Sequence, residues 1–430
     1  MTNAPGFQSF PPPDYILTES AIEGIEVYMP RPPKEEHRPV VAFNCPQCGA
    51  NTAYSAGDGG LTCTNCGYFE APQKAVVGKG AQEFEFTVET VERAAQGWGE
   101  ARKELQCQNC GAYTTVPLDM MTHTCPFCDS NKVIQHQAPQ DVLRPRFLIP
   151  FKLEAAACHQ IARAWMGNNW MVPANLSKVV ALDRFSGMFL PFWTFDAALN
   201  AAWKAEVGHQ KTERYYSGGE WKTRTYTVWR WESGHVNQVV DDLLISGTTH
   251  VSAQLLGRTN TFNLHDLAPY EPKYLAGFQA QSYDVTLDEA WEAARGQIRE
   301  GARKACRKQT STNNVRNFSM ELDFADETWR YILLPFYLST YTYQSKIYQV
   351  MINAQTGDIA GQRPVDWRKL GLVIGLIMVP ALIALVTGLA QIYGLGYYRS
   401  GWIGASYLLG FIGLIIAVVL IIIAFQLDDA

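Results

Sequence analysis

Period-two alternation, helical seams and two uninterrupted apolar runs follow one another along this chain. Glu83-Phe84-Glu85-Phe86-Thr87-Val88-Glu89 alternates polar and apolar, which predicts a strand with one buried face. Val91–Leu105 has no such period and reads as polar linker or short helix. Between residues 141 and 362 the pattern predicts an α+β domain with an approximate internal repeat. In its first half, Phe147–Leu153 is extended, Glu154–Trp170 is helical, and Phe189–Asp196 opens strand-like alternation through Val207. In its second half, Ser282–Thr286 is extended, Leu287–Lys308 is helical, and Ile332–Leu338 leads into Tyr341–Asn353. Both halves carry Leu-Pro-Phe followed by an aromatic, at Leu190-Pro191-Phe192-Trp193 and Leu334-Pro335-Phe336-Tyr337.

Trp203–Trp231 alternates around Gly218-Gly219, the signature of a long hairpin with exposed charges and aromatics. A second turn is expected at Gln355–Gly357. In the helix Asp288–Lys308, Trp291, Ala294, Ile298, Ala302 and Ala305 form an apolar seam. Asp288, Glu289 and Glu292 open that helix, and Arg303, Lys304, Arg307 and Lys308 close it, which suits the helix dipole. The basic end reads as a solvated face, with contact to anionic lipid as the alternative.

The C-terminal pattern is of another kind. Leu370–Tyr398 and Ser400–Leu427 contain no charged residue, and Arg399 alone separates them. A helix of about 20 residues crosses the hydrocarbon core of a bilayer. Two spanning helices are expected, Leu370–Tyr393 and Trp402–Phe425, joined by the loop Gly394–Gly401 as a hairpin within 366–427. Trp367, Tyr393, Tyr397, Tyr398 and Trp402 mark the interfaces. Arg363, Arg368 and Lys369 precede the first helix, against Arg399 in the loop. The positive-inside rule then places the N-terminal domains and the C-terminus in the cytoplasm. Neither run holds an ionisable residue at mid-depth, so anchoring is expected rather than transport. Gly371 and Gly375 form a small-xxx-small pair that reads as helix packing. Residues 1–40 are rich in proline, with no long apolar run, and read as a disordered or extended arm without a signal peptide.

Eight of the ten cysteines fall in two quartets of identical spacing. Cys45 and Cys48 precede Cys63 and Cys66, and Cys107 and Cys110 precede Cys125 and Cys128, with fourteen residues inside each quartet. This is the ligand pattern of a four-thiolate zinc ribbon, written twice, at 41–72 and 103–137, with a linker and strand over 73–102. Four filled positions predict two structural Zn²⁺ ions, since a catalytic zinc keeps one position open. An iron site of the rubredoxin kind and a disulfide framework are the other readings. Gly49, Gly67, Gly111 and Asp129 follow the second cysteine of each pair, where a left-handed backbone is needed. His123, two residues before Cys125, reads as a surface histidine.

No catalytic constellation stands out, and no enzyme is expected. The zincin, nucleophile-elbow, Walker and dinucleotide motifs are missing from the sequence. Cys158 and His159 diverge on a predicted helix, and Cys158 and Cys306 read as core residues. His265-Asp266 and Asp241-Asp242 have no evident partners in the sequence. Nucleic acid is a poor fit for the ribbons, because neither quartet encloses a Lys or Arg. Tyr54, Tyr68, Tyr113, Met120, Met121 and Phe127 offer apolar contacts to a protein partner, or form the small ribbon cores.

The order of parts resembles a bacterial family of membrane proteins with transcription-factor-IIB-type zinc ribbons, often mislabelled primosomal protein N′ or helicase-like. The Cys quartets, Leu333–Tyr337, Tyr348–Gly357 and Arg363-Pro364-Val365-Asp366-Trp367 carry the resemblance. Some members of that family lie beside flotillin-like (SPFH) and phage-shock-type proteins, which implies a membrane scaffold for stress or remodelling factors. Tyr348–Ile359 also resembles the strand–turn–strand of PepSY-type domains. The expectation is a membrane-anchored cytoplasmic adaptor with protein partners. Membrane-tethered nucleic-acid binding and a peptidase-linked or hydrolytic α+β domain are the alternatives.

Overall fold

Two strands of unusual length, lying antiparallel, form the spine of the molecule. The computed structural model describes residues 43–428 apart from 74–75, 82, 86–97, 99–101, 118–123, 138–141, 168, 177–184 and 396–399. It also describes strands β1 (Tyr15–Thr18) and β2 (Val27–Pro30), which pair antiparallel within the N-terminal arm. The rest of the arm, most of the 91–101 linker, Phe86–Glu89, His123, Met120, Met121 and Tyr397–Arg399 lie outside the described residues. β3 (Ala53–Ser55), β4 (Gly60–Thr62) and β5 (Phe69–Glu70) make a small three-stranded sheet.

A twelve-stranded sheet takes in the other strands. They are β6 (Phe84–Glu85), β7 (Arg102–Cys107), β8 (Tyr113–Pro117), β9 (Val133–Gln137), β10 (Phe147–Leu148) and β11 (Ser186–Ser217), then β12 (Glu220–Ser246), β13 (Ala268–Pro269), β14 (Gln279–Ala280), β15 (Val315–Tyr343), β16 (Lys346–Asn353) and β17 (Ile359–Gly361). The helices are α1 (Ala155–Gly167), α2 (Ala253–Thr259), α3 (Leu287–Lys308), α4 (Trp367–Leu395) and α5 (Ser400–Asp428). The linker reading fails at its C-terminal end, because Arg102–Cys107 pairs with both β8 and β9.

The internal repeat appears as a local two-fold in the sheet. Leu190 of β11 stands opposite Leu334 of β15, so the two Leu-Pro-Phe segments cross at their shared leucine. Beside them, β10 runs parallel to β15 with Leu148 next to Leu333, and β14 runs parallel to β11 with Ala280 next to Phe189. Leu148 and Ala280 each precede the first residue of a helix, Ala155 and Leu287, by seven positions.

Proline in a central strand removes a ladder donor and is normally confined to edges. Here each proline sits where its strand changes partner. On β11, β14 pairs up to Phe189, while β12 pairs from Phe192. Pro191, between them, needs no N–H and accepts from Gly247 N at 2.9 Å. On β15, β10 pairs up to Leu333 and β16 from Phe336, and Pro335 accepts from Ala354 N at 3.0 Å.

Aromatic packing fills the space beneath this crossing. The Phe151 ring stacks on Phe278 at 3.9 Å and meets Phe189 and Tyr337 edge-on at 5.0 and 5.1 Å. A capping box starts α3: Thr286 Oγ1 accepts from Glu289 N, and Glu289 Oε2 accepts from Thr286 N at 2.9 Å. The seam of α3 buries Trp291, Ala294, Ile298 and Ala302 as read, with Cys306 rather than Ala305 completing it. It lies against Ala201, Trp203, Ala205 and Val207 of β11, and Arg303 and Arg307 rest over Phe318 of β15. Cys158 and Cys306 are both buried.

The two C-terminal helices are long and apolar enough to span a membrane. Leu372 and Phe411 are 70% and 63% exposed, which a helix pair inside a soluble core would not show. Their mutual contact uses Gly410 and Gly413, where a Cβ would meet Ala381 at 3.8 Å and Met378 at 2.8 Å. Gly371 and Gly375 face open space instead, so the packing expected of them is not made within this hairpin. At the sheet end, Arg363 N donates to Leu427 O at 2.7 Å, Lys346 pairs with Asp428 at 2.7 Å, and Tyr348 donates to Asp428 at 3.0 Å.

Phe151→Ala empties the centre of the aromatic cluster and should cost about 3–5 kcal/mol. Chemical denaturation of the detergent-solubilised protein, set beside the wild type, measures it.

Candidate metal centres

The four Cys-x-x-Cys turns share one backbone design. In each, the residue after the second cysteine donates its N–H to the carbonyl of the first: Gly49 to Cys45 at 2.8 Å, and Gly67 to Cys63, Gly111 to Cys107 and Asp129 to Cys125 at 2.9 Å. Those four residues have φ of 73°, 75°, 76° and 57°, the left-handed region that glycine enters freely and Asp tolerates. The first cysteine of each turn donates in return to the carbonyl five residues on: Ala50, Tyr68, Ala112 and Ser130.

These turns bring the sulfurs together as the spacing predicts. In each quartet the ligand atoms lie within 4.8 Å of one another. Cys45 and Cys66 Sγ are 3.4 Å apart, and Cys48–Cys63, Cys107–Cys128 and Cys110–Cys125 are each 3.6 Å apart. A disulfide needs about 2.05 Å. Four sulfurs at about 2.3 Å from one ion would stand about 3.8 Å apart at the corners of a tetrahedron. The sulfurs therefore fit a shared metal ion, and all eight cysteines are free thiols.

The second knot is built into the large sheet, and the first, with its own small sheet, docks on the turn that leads into β14. In the first, Tyr54 N donates to Ala276 O at 3.1 Å, the Tyr54 ring lies 5.3 Å from Tyr274, and Lys273 pairs with Glu70. In the second, β8 pairs with β14 at Thr115 and Ala280, and Thr115 Oγ1 donates to Ala280 O at 2.9 Å. The buried Arg102 donates to the Phe278 carbonyl at 3.3 Å. Gln349 of β16 donates to the Phe127 carbonyl at 2.6 Å, and Phe127 is buried. Tyr54 and Phe127 therefore serve as core residues, not as surface contacts. Phe69, Tyr113 and Ile134 keep exposed outer faces on the knots. Segment 272–281 touches both knots and carries Phe278 into the aromatic cluster.

Sequence reading missed an ion cluster at the β11 bulge. Arg330 of β15 has no solvent exposure, and its Nη2 meets Glu83 at 3.1 Å, Asp196 at 3.4 Å and Asp242. Lys79 adds Asp241 at 2.8 Å and Asp242 at 3.3 Å. Asp242 N donates to Asp196 Oδ1 at 2.5 Å, which holds Asp242 at φ 58°. Burial, ahead of its charged neighbours, pushes the Asp196 carboxyl up. Asp196, Asp241 and Asp242 are grouped closely enough to ligate an ion, but the two cations already occupy their oxygens. The other pair without evident partners also finds them: Asp266 accepts from Lys152 and from Gln355, both at 2.5 Å.

His209, Glu232 and Ser311 have the residue types of a catalytic relay but not its geometry. One ring nitrogen, Nε2, faces both Glu232 Oε1 at 3.1 Å and Ser311 Oγ at 3.3 Å, and Ser311 donates to Glu232. A relay places its two partners on different ring nitrogens.

Two outcomes follow from these sites. Elemental analysis by mass spectrometry should find two metal equivalents per chain, falling to one in Cys45→Ser and to one in Cys107→Ser. Arg330→Ala should lower stability by about 3–5 kcal/mol at pH 7.5, because it leaves buried carboxylates unpaired. The folded pKa of Asp196 is raised, so this group takes a proton readily as pH falls and relieves that repulsion. The deficit should shrink at pH 5, read by thermal unfolding at the two pH values.

No protein-family model matches the chain, and no solved structure matches it. Among curated proteins it is similar to the uncharacterized protein YdjG of Bacillus subtilis (strain 168), at 23% identity over 362 residues, covering 81% of this chain and 99% of that protein.

Proposed function

We propose that the protein is a membrane-anchored cytoplasmic adaptor whose two quartets are structural zinc ribbons. The observation that carries this reading is the fusion of three parts on one sheet. Both four-cysteine knots hydrogen-bond to its 272–281 region, and the apolar helix pair is tied to β16 through Asp428. An anchor and two metal braces joined to one rigid body suit a protein that holds others at a membrane.

Zinc is favoured by the donor set. Four thiolates with no open position match a structural zinc, which supplies folding energy without redox chemistry. Zinc thiolates persist in a reducing compartment. Arg363, Arg368 and Lys369 at the start of the helix pair support a cytoplasmic head and C-terminus in an inner membrane. The resemblance described above supports a role in membrane stress or remodelling.

Crosslinking in cells followed by detergent purification tests the adaptor reading. A stable protein partner should be recovered with the wild type and lost when Cys45→Ser and Cys107→Ser are combined. Deleting 367–428 should release the head from membranes. Recovery of no partner, or full function in the double cysteine variant, would remove the reading.

A further inference from the structure

Strand β11 outruns the sheet. Its last pairing with β15 joins Val207 to Val315. Gly208 N still donates to Asn314 O at 2.8 Å, and from Gln210 to the Gly218-Gly219 turn β11 pairs with β12 alone, through Ser217 and Glu220. The turn glycines have φ of 66° and 84°, the two-residue hairpin geometry with both central residues left-handed. The result is a free ribbon of eight residues per strand, Gln210–Ser217 against Glu220–Thr227, about 26 Å long at about 3.3 Å per residue.

A ribbon of two strands with no third strand and no covered face is marginal in water. Nearly every side chain from Gln210 to Thr225 is exposed. Yet the ribbon carries large aromatics rather than the small polar residues of a solvated loop. Trp221 is 71% exposed, Tyr216 is 62% exposed, and Tyr215 is exposed next to them. Cross-strand partners point to one face, so Tyr216 and Trp221 stand together at the tip, with their rings 5.4 Å apart.

Charge separates the ribbon from the rest of the chain. Residues 209–231 hold five Lys or Arg (Lys211, Arg214, Lys222, Arg224 and Arg230) against two Glu (Glu213 and Glu220), within a chain of formal net charge −5. None of the five has an ion-pair partner among the described residues. Arg224 lies over the Tyr226 ring at 5.3 Å. Trp, Tyr and Arg are the residue types that dominate binding hot spots.

The chain's own membrane is at the wrong end. The helix pair is tied to Lys346 and Tyr348, next to the end of β15 that pairs with Ser186. The tip lies at the other end of β11, roughly 100 Å of strand away at about 3.3 Å per residue. Glu220, adjoining the turn, would also face the headgroups of an anionic bilayer.

We propose that this ribbon is a docking arm gripped on both faces by a protein partner with an acidic surface, with Trp221, Tyr216 and Arg214 on one face and Tyr215, Lys222, Arg224 and Lys211 on the other. The proposal rests on the adaptor reading and names the surface that reading lacks. Complementary charge steers the encounter and is screened by salt, while the aromatic pair is desolvated on docking.

The test uses the full-length protein in its native membrane, with a photo-crosslinking amino acid in place of Trp221. One protein adduct is expected, at least tenfold weaker when Lys222→Glu and Arg224→Glu are combined. The captured protein, identified and purified, should bind the wild type in nanodiscs at least tenfold more tightly than that variant. Its affinity should fall as salt rises, and reversing the charge of its acidic patch should restore binding to the variant. An unchanged metal content shows that the variant is folded. No adduct, an adduct to phospholipid, nucleic acid or a second copy of this chain, or an adduct indifferent to the charge reversal, overturns the proposal. If the variant keeps a partner that the Cys45→Ser, Cys107→Ser protein loses, the docking arm is wrong and the adaptor reading stands.

Discussion

The pairing of Leu190 with Leu334 is the constraint on which the rest of the molecule depends. It sets the register of two strands of 32 and 29 residues. A slip of one residue would exchange the two buried faces of β11, putting Phe189, Trp193 and Phe195 where Met188, Leu190 and Phe192 pack. It would also move both prolines away from the points where their strands change partner. Pro191 and Pro335 then act as markers: each tolerates no further ladder donor, and each leaves its carbonyl to a single outer neighbour, Gly247 or Ala354. The duplicated Leu-Pro-Phe is thus a statement about hydrogen bonding more than about hydrophobicity.

From that register the positions of the other parts follow. The segment before α3 must come back to β11 as β14, and in doing so it passes both four-cysteine knots. Phe278 enters the aromatic cluster while its carbonyl accepts from Arg102 of the second knot. The closure of each knot and the packing of the sheet are coupled by this arrangement, since loosening either knot frees a strand edge or a core ring. The bulge at Asp196 has a similar standing. Arg330 gathers carboxylates from three separate segments, and the buried charge is tolerable only because all of them converge on it.

The same register explains the free ribbon. β15 begins at Val315 and cannot follow β11 beyond Val207, so the hairpin leaves the sheet carrying its aromatics and cations with it. The exposed ribbon at one end and the apolar helix pair at the other lie at opposite ends of the β11–β15 pair.

Much of this was legible in residues close together in the chain. The grouping of the eight cysteines into two quartets came from Cys-x-x-Cys spacing, and the left-handed positions came from Gly49, Gly67, Gly111 and Asp129. The α3 boundaries came from the seam and from the charges at its two ends, the hairpin from Gly218-Gly219, and the two long apolar helices from charge-free length. Each depends on contacts within a few residues or on composition over one helix, so the sequence alone determined them. Other features waited for the tertiary structure. Glu83 and Arg330 are 247 residues apart, and nothing local in either predicts their meeting. Tyr54 and Phe127 looked equally suited to a partner or a core until Tyr274 and Gln349 were brought beside them. Gly371 and Gly375 had the spacing for helix contact, but α5 packs on another face. Periodicity assigns a residue to a face, whereas only the pairing of distant strands decides what that face meets.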